Sequence, residues 1–593
     1  MSEELQTCYE FGPFRIDAQR CLLLREGVPM SLSPKAFETL VVLVENNGRI
    51  VKKEELISRI WPNSFVEEGN LTQNIFVLRK ALGEGPNDHR YIVTVPGQGY
   101  RFVAPVKTSS HQLEAFSPSP RPAPESFAHA AAIASLAVLP FKTLGENGYY
   151  LGPGLADALI TRLSSISKVA VRPTTAVLRY TDPEQNVVAV GQELGVDTVL
   201  DGHLQRLDER IRVTVQLVRT SDGKTLWAEK FDEKFTDVFA VQDSISEQVT
   251  RALMLKLTAE EQELLTKRYT ENTEAFRAYI KGRYFWNKRT VEGLEKSIEY
   301  ARQAISIDRS YALAYVGLAD SYNLLAGHGG LAPKETFPKA KAAALKALDL
   351  DPALAQAYTS LGFVSYRFDW DWPHAEQYFK QAIELNPNYA TAHHWYGESL
   401  VVTGRFEDSI SALERAQELD PLSLPINTDL AQSLFFARRY DESEEQLRKT
   451  LEMDQNFVRA CIICGGVYEQ KGMYEESIAI LQKAAALSEG NTLALSGLGH
   501  VYAVSGKEGE ARRILLELKQ LARQRYVSAY NIGMVHAGLG EKKAALDWLV
   551  KAYHQRDVWL VWLKVNPRFD NLRAESRFTD LMRRVGLMHG EEN

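Results

Sequence analysis

Between Asn70 and Leu82 the apolar residues Leu71, Ile75, Leu78 and Leu82 recur at i, i+4, i+7 and i+11, which makes one stripe of a helix. Thr72, Gln73, Asn74, Val77 and Lys80 are thereby turned away from the core as a short, polar, amide-rich face. That chemistry suits the edges of DNA bases. Gln and Asn can bond adenine N6 and N7 in pairs, and a Thr methyl or a Val can touch the thymine methyl, each good pair being worth about 1–3 kcal/mol of discrimination. Just downstream, Tyr91 to Val103 reads as a hairpin with Gly97 and Gly99 at its tip and Tyr100 and Arg101 beyond it. Thr72, Gln73, Asn74, Val77, Arg79, Lys80, Tyr100 and Arg101 are the candidate contacts to double-stranded DNA.

Other constellations carry less chemistry. Cys461-Ile-Ile-Cys464 has the spacing of a redox or metal pair, but no second Cys or His pair stands in phase with it, so the expectation is packing and no metal. Gly152-Pro-Gly154 ahead of a helix could cradle a phosphate, yet Asp157 occupies the place of the third glycine in a dinucleotide fingerprint. With no Walker A stretch, zincin motif or nucleophile elbow, neither an enzyme nor a cofactor is expected.

Several elements must position these residues. Residues 11–32 alternate apolar and polar with turn signals near Asp17 and Gly27, the pattern of a short antiparallel sheet. Ser33-Pro34 opens a helix running to about Asn46, and Lys52 to Trp61 is a second, closed by Pro62. Ser, Pro and Ala then dominate residues 107–134, a semi-extended linker. From Ser135 helices alternate with strands and give way to three strand-like runs, 198–207, 210–220 and 224–231, which indicates an α/β sandwich with a mixed sheet. Further on, one small residue recurs at Gly282, Ala319, Gly362, Gly397, Ala431, Gly465, Gly499 and Gly533, and the spacing settles at 34, the tetratricopeptide period. Eight helical hairpins and a capping helix near 574–585 follow from it.

In that register His394, Glu398, Gln432, Phe435, Glu469, His500 and Tyr530 fall where a tetratricopeptide solenoid presents its concave face, either as a groove for a peptide or as a solvated surface.

The composition narrows the field. A net charge of −7 excludes indiscriminate nucleic-acid binding, so DNA contact has to come from one local surface. Four cysteines, Cys8, Cys21, Cys461 and Cys464, are too scattered for a disulfide scaffold and favour a reducing cytosol. The most apolar stretch, 128–141, contains His129 and Pro140 and falls short of the roughly 20 residues that span a bilayer.

Residues 11–104 resemble the OmpR/PhoB-type winged-helix DNA-binding domain, on Leu78-Arg-Lys-Ala-Leu82 and Val95-Pro-Gly-Gln-Gly-Tyr-Arg101. Membrane-anchored relatives of the ToxR/CadC kind carry a transmembrane helix after the winged helix, and none is read here. The α/β stretch resembles TolB-like amino-terminal domains in Gly154-Leu-Ala-Asp157, Glu193-Leu-Gly-Val196, Leu226-Trp-Ala-Glu229 and Phe239-Ala-Val-Gln242. The resulting division is a winged helix over 1–106, a linker over 107–134, a TolB-like domain over 135–257, a connecting helix over 258–274 and an all-α solenoid over 275–593.

The expectation is a cytoplasmic, sequence-specific transcriptional regulator. Its C-terminal two thirds would take a signal or a protein or peptide partner, or pair chains as a homo-oligomer. With no receiver domain before the winged helix, aspartyl phosphorylation is not the expected control. The alternative is an interaction scaffold whose winged helix no longer binds DNA.

Overall fold

In a computed structural model of the chain the described residues are 7–588, apart from 18–21, 26–27, 31–33, 61–70, 72–73, 76–77, 80–81, 83, 85–89, 96–97, 111–134, 145–149, 167, 183–184, 208–209, 235–237, 254–256, 328–330 and 489–490. They form two compact units, 1–128 and 129–593.

In the first unit, β1 (Thr7–Phe11), β2 (Phe14–Asp17), β3 (Leu22–Arg25) and β4 (Val28–Met30) build an antiparallel sheet. Lys107–Ser110, expected in the linker, instead pairs with β1, Thr7 lying opposite Ser110. Two helices, Pro34–Glu45 and Lys53–Ile60, lead to a second sheet in which Gly99–Phe102 lies between Ile50–Lys52 and Ile92–Val95. Its central strand approaches its neighbour so closely that a Cβ on Gly99 would fall 2.0 Å from the Val51 carbonyl oxygen, which only glycine permits. The helical stripe is buried as expected: Leu71, Ile75, Leu78 and Leu82 are each at most 3% exposed. They share a core with Phe11, Phe14 and Phe102, and the Phe11 and Phe102 rings meet edge-to-face at 4.9 Å.

The second unit opens with a mixed sheet. Ser135–Val138 lies between the parallel strands Ala170–Val171 and Thr198–Leu207, and Arg210–Arg219 and Thr225–Lys234 continue it antiparallel. Helix Leu151–Leu163 packs on this sheet. The two glycines weighed as a phosphate cradle lie inside that helix. A Cβ on Gly152 would sit 1.8 Å from the Phe141 carbonyl oxygen, and one on Gly154 2.6 Å from Ile280 Cβ, so both serve close packing.

Eight helical hairpins follow among the described residues, from Thr273–Trp286 with Val291–Ile307 to Ala529–Gly538 with Lys542–Gln555. The recurring small residue has two physical reasons. A Cβ on Gly397 or Gly465 would lie 2.6 or 2.5 Å from Leu413 or Leu481, each a fully buried knob of the paired helix. In addition, Ser409, Ser443 and Ser477 donate at 2.7 Å to the carbonyls of Gly397, Ala431 and Gly465, a latch repeated at the period. The turns of the last six hairpins carry a left-handed residue at one position, Trp370, Gly404, Arg438, Gly472, Gly506 and Gly540, each 34 after the last.

The mixed sheet and the solenoid share one core. Arg283 donates to both carboxylate oxygens of Asp157 at 3.1 and 3.2 Å, Arg172 to the carbonyls of Glu418 and Leu419, and Asn388 to those of Ile166 and Val169. Beyond the last hairpin, Arg556 turns the chain back. Two short 3-10 segments, Leu560–Lys564 and Pro567–Leu572, precede a final helix, Ser576–Arg584, near the range expected for it.

Candidate functional site

On the winged helix, Thr72, Gln73, Val77 and Lys80 lie outside the described residues. The other four are not equivalent, and three of them correct the expected surface. Tyr100 is 4% exposed and belongs to the core, because successive residues of a strand face opposite sides and Tyr100 shares with Phe102 the side that Arg101 leaves. Arg79 reaches back to the hairpin. Its Nη2 donates to the Ile92 carbonyl at 3.0 Å and to Thr94 Oγ1 at 2.8 Å, and its Nε lies 3.9 Å from Glu84 Oε2. Asn74 is half-buried, with Nδ2 donating to Thr39 Oγ1 at 3.3 Å. Arg101 is half-buried and, unlike Arg79, has no ion-pair partner among the described residues.

Glu84 was not singled out in the sequence, yet its buried carboxylate accepts from the backbone N–H groups of Tyr91 and Ile92 and faces Arg79. It joins the end of the helix to the first strand of the hairpin. Glu84→Ala leaves two donors unsatisfied and is expected to lower the stability of fragment 1–128 by about 1–3 kcal/mol in urea unfolding. A change below about 0.5 kcal/mol would show that the latch does not hold the domain.

The solenoid's inner face differs more from expectation. All seven candidate groove residues are buried, from Tyr530 at 2% to His394 at 8% exposed, and residues 562–570 of the same chain lie against the later repeats. Arg568 donates to Glu469 from Nε at 3.1 Å and from Nη2 at 2.8 Å, and His500 Nδ1 approaches the same carboxylate at 3.0 Å. Asn566 donates to Tyr530 Oη at 2.8 Å, and Phe569 meets the Tyr530 ring edge-on at 5.1 Å. Trp562 stacks on Phe436, the neighbour of Phe435, at 5.1 Å. Lys564 donates to the Thr403 carbonyl at 2.8 Å, and Arg438 pairs with Asp570 at 3.0 Å. At the later repeats the inner face, read as either a peptide groove or a solvated surface, is occupied in cis.

Beside this segment lies a second charge cluster. Tyr366 and Arg367 donate to Glu398 at 2.8 and 3.0 Å, His394 Nε2 lies 2.7 Å from Asp429, and Arg459 donates to Glu398 at 3.3 Å and to Gln432 at 3.2 Å while pairing with Asp429. Burial alone would raise the carboxyls of Glu398 and Glu469. Arg367 and Arg459 beside the first, and Arg568 and His500 beside the second, outweigh it and hold each at about 2. His394, Glu398 and Asp429 bring ligand atoms within 4.8 Å of one another, but Arg459 already bonds both carboxylates and would repel a cation placed there.

Sequence reasoning missed Arg367, Arg459 and Arg568. The one available signal was the apolar run Val558-Trp-Leu-Val-Trp-Leu563, rich in tryptophan and out of phase with the repeat. Cys461 and Cys464 are packing residues, at most 3% exposed, and burial pushes the Cys464 thiol up to about 11.

Residues 27–102 match the family described as "Transcriptional regulatory protein, C terminal". The stretch carrying the TolB-like motifs, 132–248, matches "HilA/YgeH-like transcriptional regulator, second domain". Residues 371–423 and 428–492 match a tetratricopeptide repeat family. The transcriptional regulator HilA of Salmonella typhi is 26% identical over 405 residues, 67% of this chain and 68% of that protein. A protein named putative adenylate cyclase 3 of Rhizobium meliloti is 30% identical over 235 residues, 38% and 39% of the two chains. The transcriptional activator CadC of Escherichia coli is 35% identical over 105 residues, 17% and 20% of the two chains. Among solved structures, the DNA-binding domain of E. coli CadC is 30% identical and covers 18% of this chain and 98% of its own, with a TM-score of 0.16. No helix among the described residues is long and apolar enough to cross a membrane. The chain is a DNA-binding transcriptional regulator related to HilA and CadC, built from an OmpR/PhoB-type winged helix, a mixed-sheet domain and a tetratricopeptide-repeat solenoid.

Proposed function

We propose that the winged helix reads a specific promoter sequence and that the second unit receives the signal that governs it. The observation carrying the first half is the burial of Leu71, Ile75, Leu78 and Leu82, which leaves the opposite face of the same helix for DNA. Gln73, with Thr72, Val77 and Lys80, is the base-reading set on this reading, and Arg101 on the hairpin makes a phosphate contact. Arg79 and Tyr100 contribute by holding helix and hairpin together.

Selection from a randomised duplex library with the full chain tests the division. Gln73→Ala should relax preference at one or two base pairs, while Arg101→Ala should weaken all sequences alike. Uniform loss in both variants refutes it. With about four phosphates contacted, log affinity should fall against log salt with a slope near −0.9 times four.

A single winged helix of this modest charge binds weakly, so we further propose that two chains act on adjacent half-sites, where avidity supplies gains of about 10²–10⁴. Equal affinity of full-length chain and fragment 1–128 on a two-site duplex would exclude that.

A further inference from the structure

Between the mixed-sheet domain and the inner helices of the first repeats lies a cavity of about 1180 Å³, ample for a small organic molecule. Its wall carries six arginines and five carboxylates. Most of these charges are matched: Arg283 with Asp157, Arg367 and Arg459 with Glu398, Arg459 again with Asp429, and Arg179 with Glu193 outside the cavity.

Arg289 is not matched. Its guanidinium lies over the Trp286 ring at 3.5 Å, Arg283 lies over the same ring at 4.5 Å, and no carboxylate pairs with Arg289. Burial and the like charge of Arg283 pull its pKa down to about 10, with Asp320 and Tyr389 acting in the opposite sense. The backbone adds a second sign. Arg289 has φ 54 in the turn of the first hairpin, a position that four later hairpins give to glycine. Two other hairpin turns, at Trp370 and Arg438, also tolerate a side chain there, and in both it clasps the C-terminal segment: Trp370 lies under Arg556 at 4.0 Å and Arg438 pairs with Asp570. Arg289 has no such partner and faces the cavity. Nearby, Trp286 Nε1 and Asn323 Oδ1 are buried without hydrogen-bond partners. A left-handed backbone and a cation with no ion-pair partner among the described residues meet at this wall of the cavity.

We infer that this cavity binds a small organic anion, with the oxyanion on Arg289 and the organic part against the apolar lining of the cavity. This gives the signal a chemical class. Only its consequence for DNA depends on the regulator reading; the binding is read with no DNA present, so the two can fail separately.

The test uses the full chain and two fluorescent probes, 1-anilinonaphthalene-8-sulfonate and its uncharged counterpart N-phenyl-1-naphthylamine. Arg289→Gly supplies the residue that the turn prefers and removes the cation, so its melting temperature should be unchanged or higher. It should bind the sulfonate at least tenfold more weakly and the neutral probe as before. Arg289→Met, which keeps the length of the side chain, should agree. Displacement of the sulfonate by phenyl phosphate but not by benzoate would identify a phosphate ester, and the reverse a carboxylate. Sulfonate affinity that is the same in wild type and both variants, or no tighter than that of the neutral probe, overturns the site.

Discussion

Arg568→Ala is expected to destabilise the second half of the solenoid by about 3–5 kcal/mol, the usual consequence of removing one partner from a buried ion pair. Arg568 and Glu469 side chains are 7% and 2% exposed, so neither charge can turn to water once the other is lost. The bidentate contact is also the polar anchor by which residues 567–572 are held on the inner helices. Hydrogen exchange should therefore rise in helix Val458–Gln470 and in the 3-10 segment Pro567–Leu572 together. A measured loss below about 1 kcal/mol would mean that the segment is held by its apolar side chains alone.

The same geometry predicts an acid limb in stability. Glu398 and Glu469 have folded-state values near 2 against an ordinary 4.5. Their contribution is fully present above about pH 4.5 and is lost as the pH falls toward 2, on the order of 3 kcal/mol for each. Asp420 works in the opposite sense. Burial raises it from 3.8 to about 6, so its contribution is present below 3.8 and is lost as the pH rises through 6. Asp420→Asn should flatten the profile between pH 4 and 6 and leave the limb below pH 4 unchanged, as followed by urea midpoints.

Ending the chain at Gln555 is the larger perturbation. Leu560, Val561, Trp562, Leu563, Val565, Phe569 and Leu572 are each at most 4% exposed. Seven such side chains at about 1.5–3 kcal/mol each amount to more than 10 kcal/mol, an upper bound because the unfolded chain already buries part of them. That rivals the roughly 5–15 kcal/mol of an entire domain. The truncated protein should aggregate or lose protection throughout its last four hairpins, and a peptide spanning 556–588 added in trans should restore a monodisperse species. A truncated chain that stays monomeric and melts at the wild-type temperature would show that the inner face tolerates water, and that its occupancy by 556–572 is incidental.

The sequence by itself determined the parts that local pattern controls. Leu71, Ile75, Leu78 and Leu82 specified a helix face because side chains four and three apart share one side of a helix. The 34-residue spacing determined eight hairpins and their register, since a unit buries its small residue against its own partner helix, in three of them with a serine latch 12 residues on. Three strand-like runs became the antiparallel part of the mixed sheet for the same reason of alternation.

Tertiary structure decided what faces water. Tyr100 and Arg79 lie in motifs that are local in sequence, but whether a side chain points to DNA or to the core depends on the sheet and the latch that meet it, here through Glu84 and Thr94. The groove is the clearest case. His394, Glu398, Gln432, Phe435, Glu469, His500 and Tyr530 lie on the first helices of their hairpins and are buried, Glu469 and Tyr530 against a segment that has no period. Arg568 is 99 residues from Glu469 and Lys564 is 161 from Thr403. Nothing in a repeat encodes a contact made by residues outside it, so only the folded chain could show that the later repeats are covered by its own C-terminal segment, while Arg289, at a turn where later hairpins favour glycine, faces the cavity beside the earlier ones.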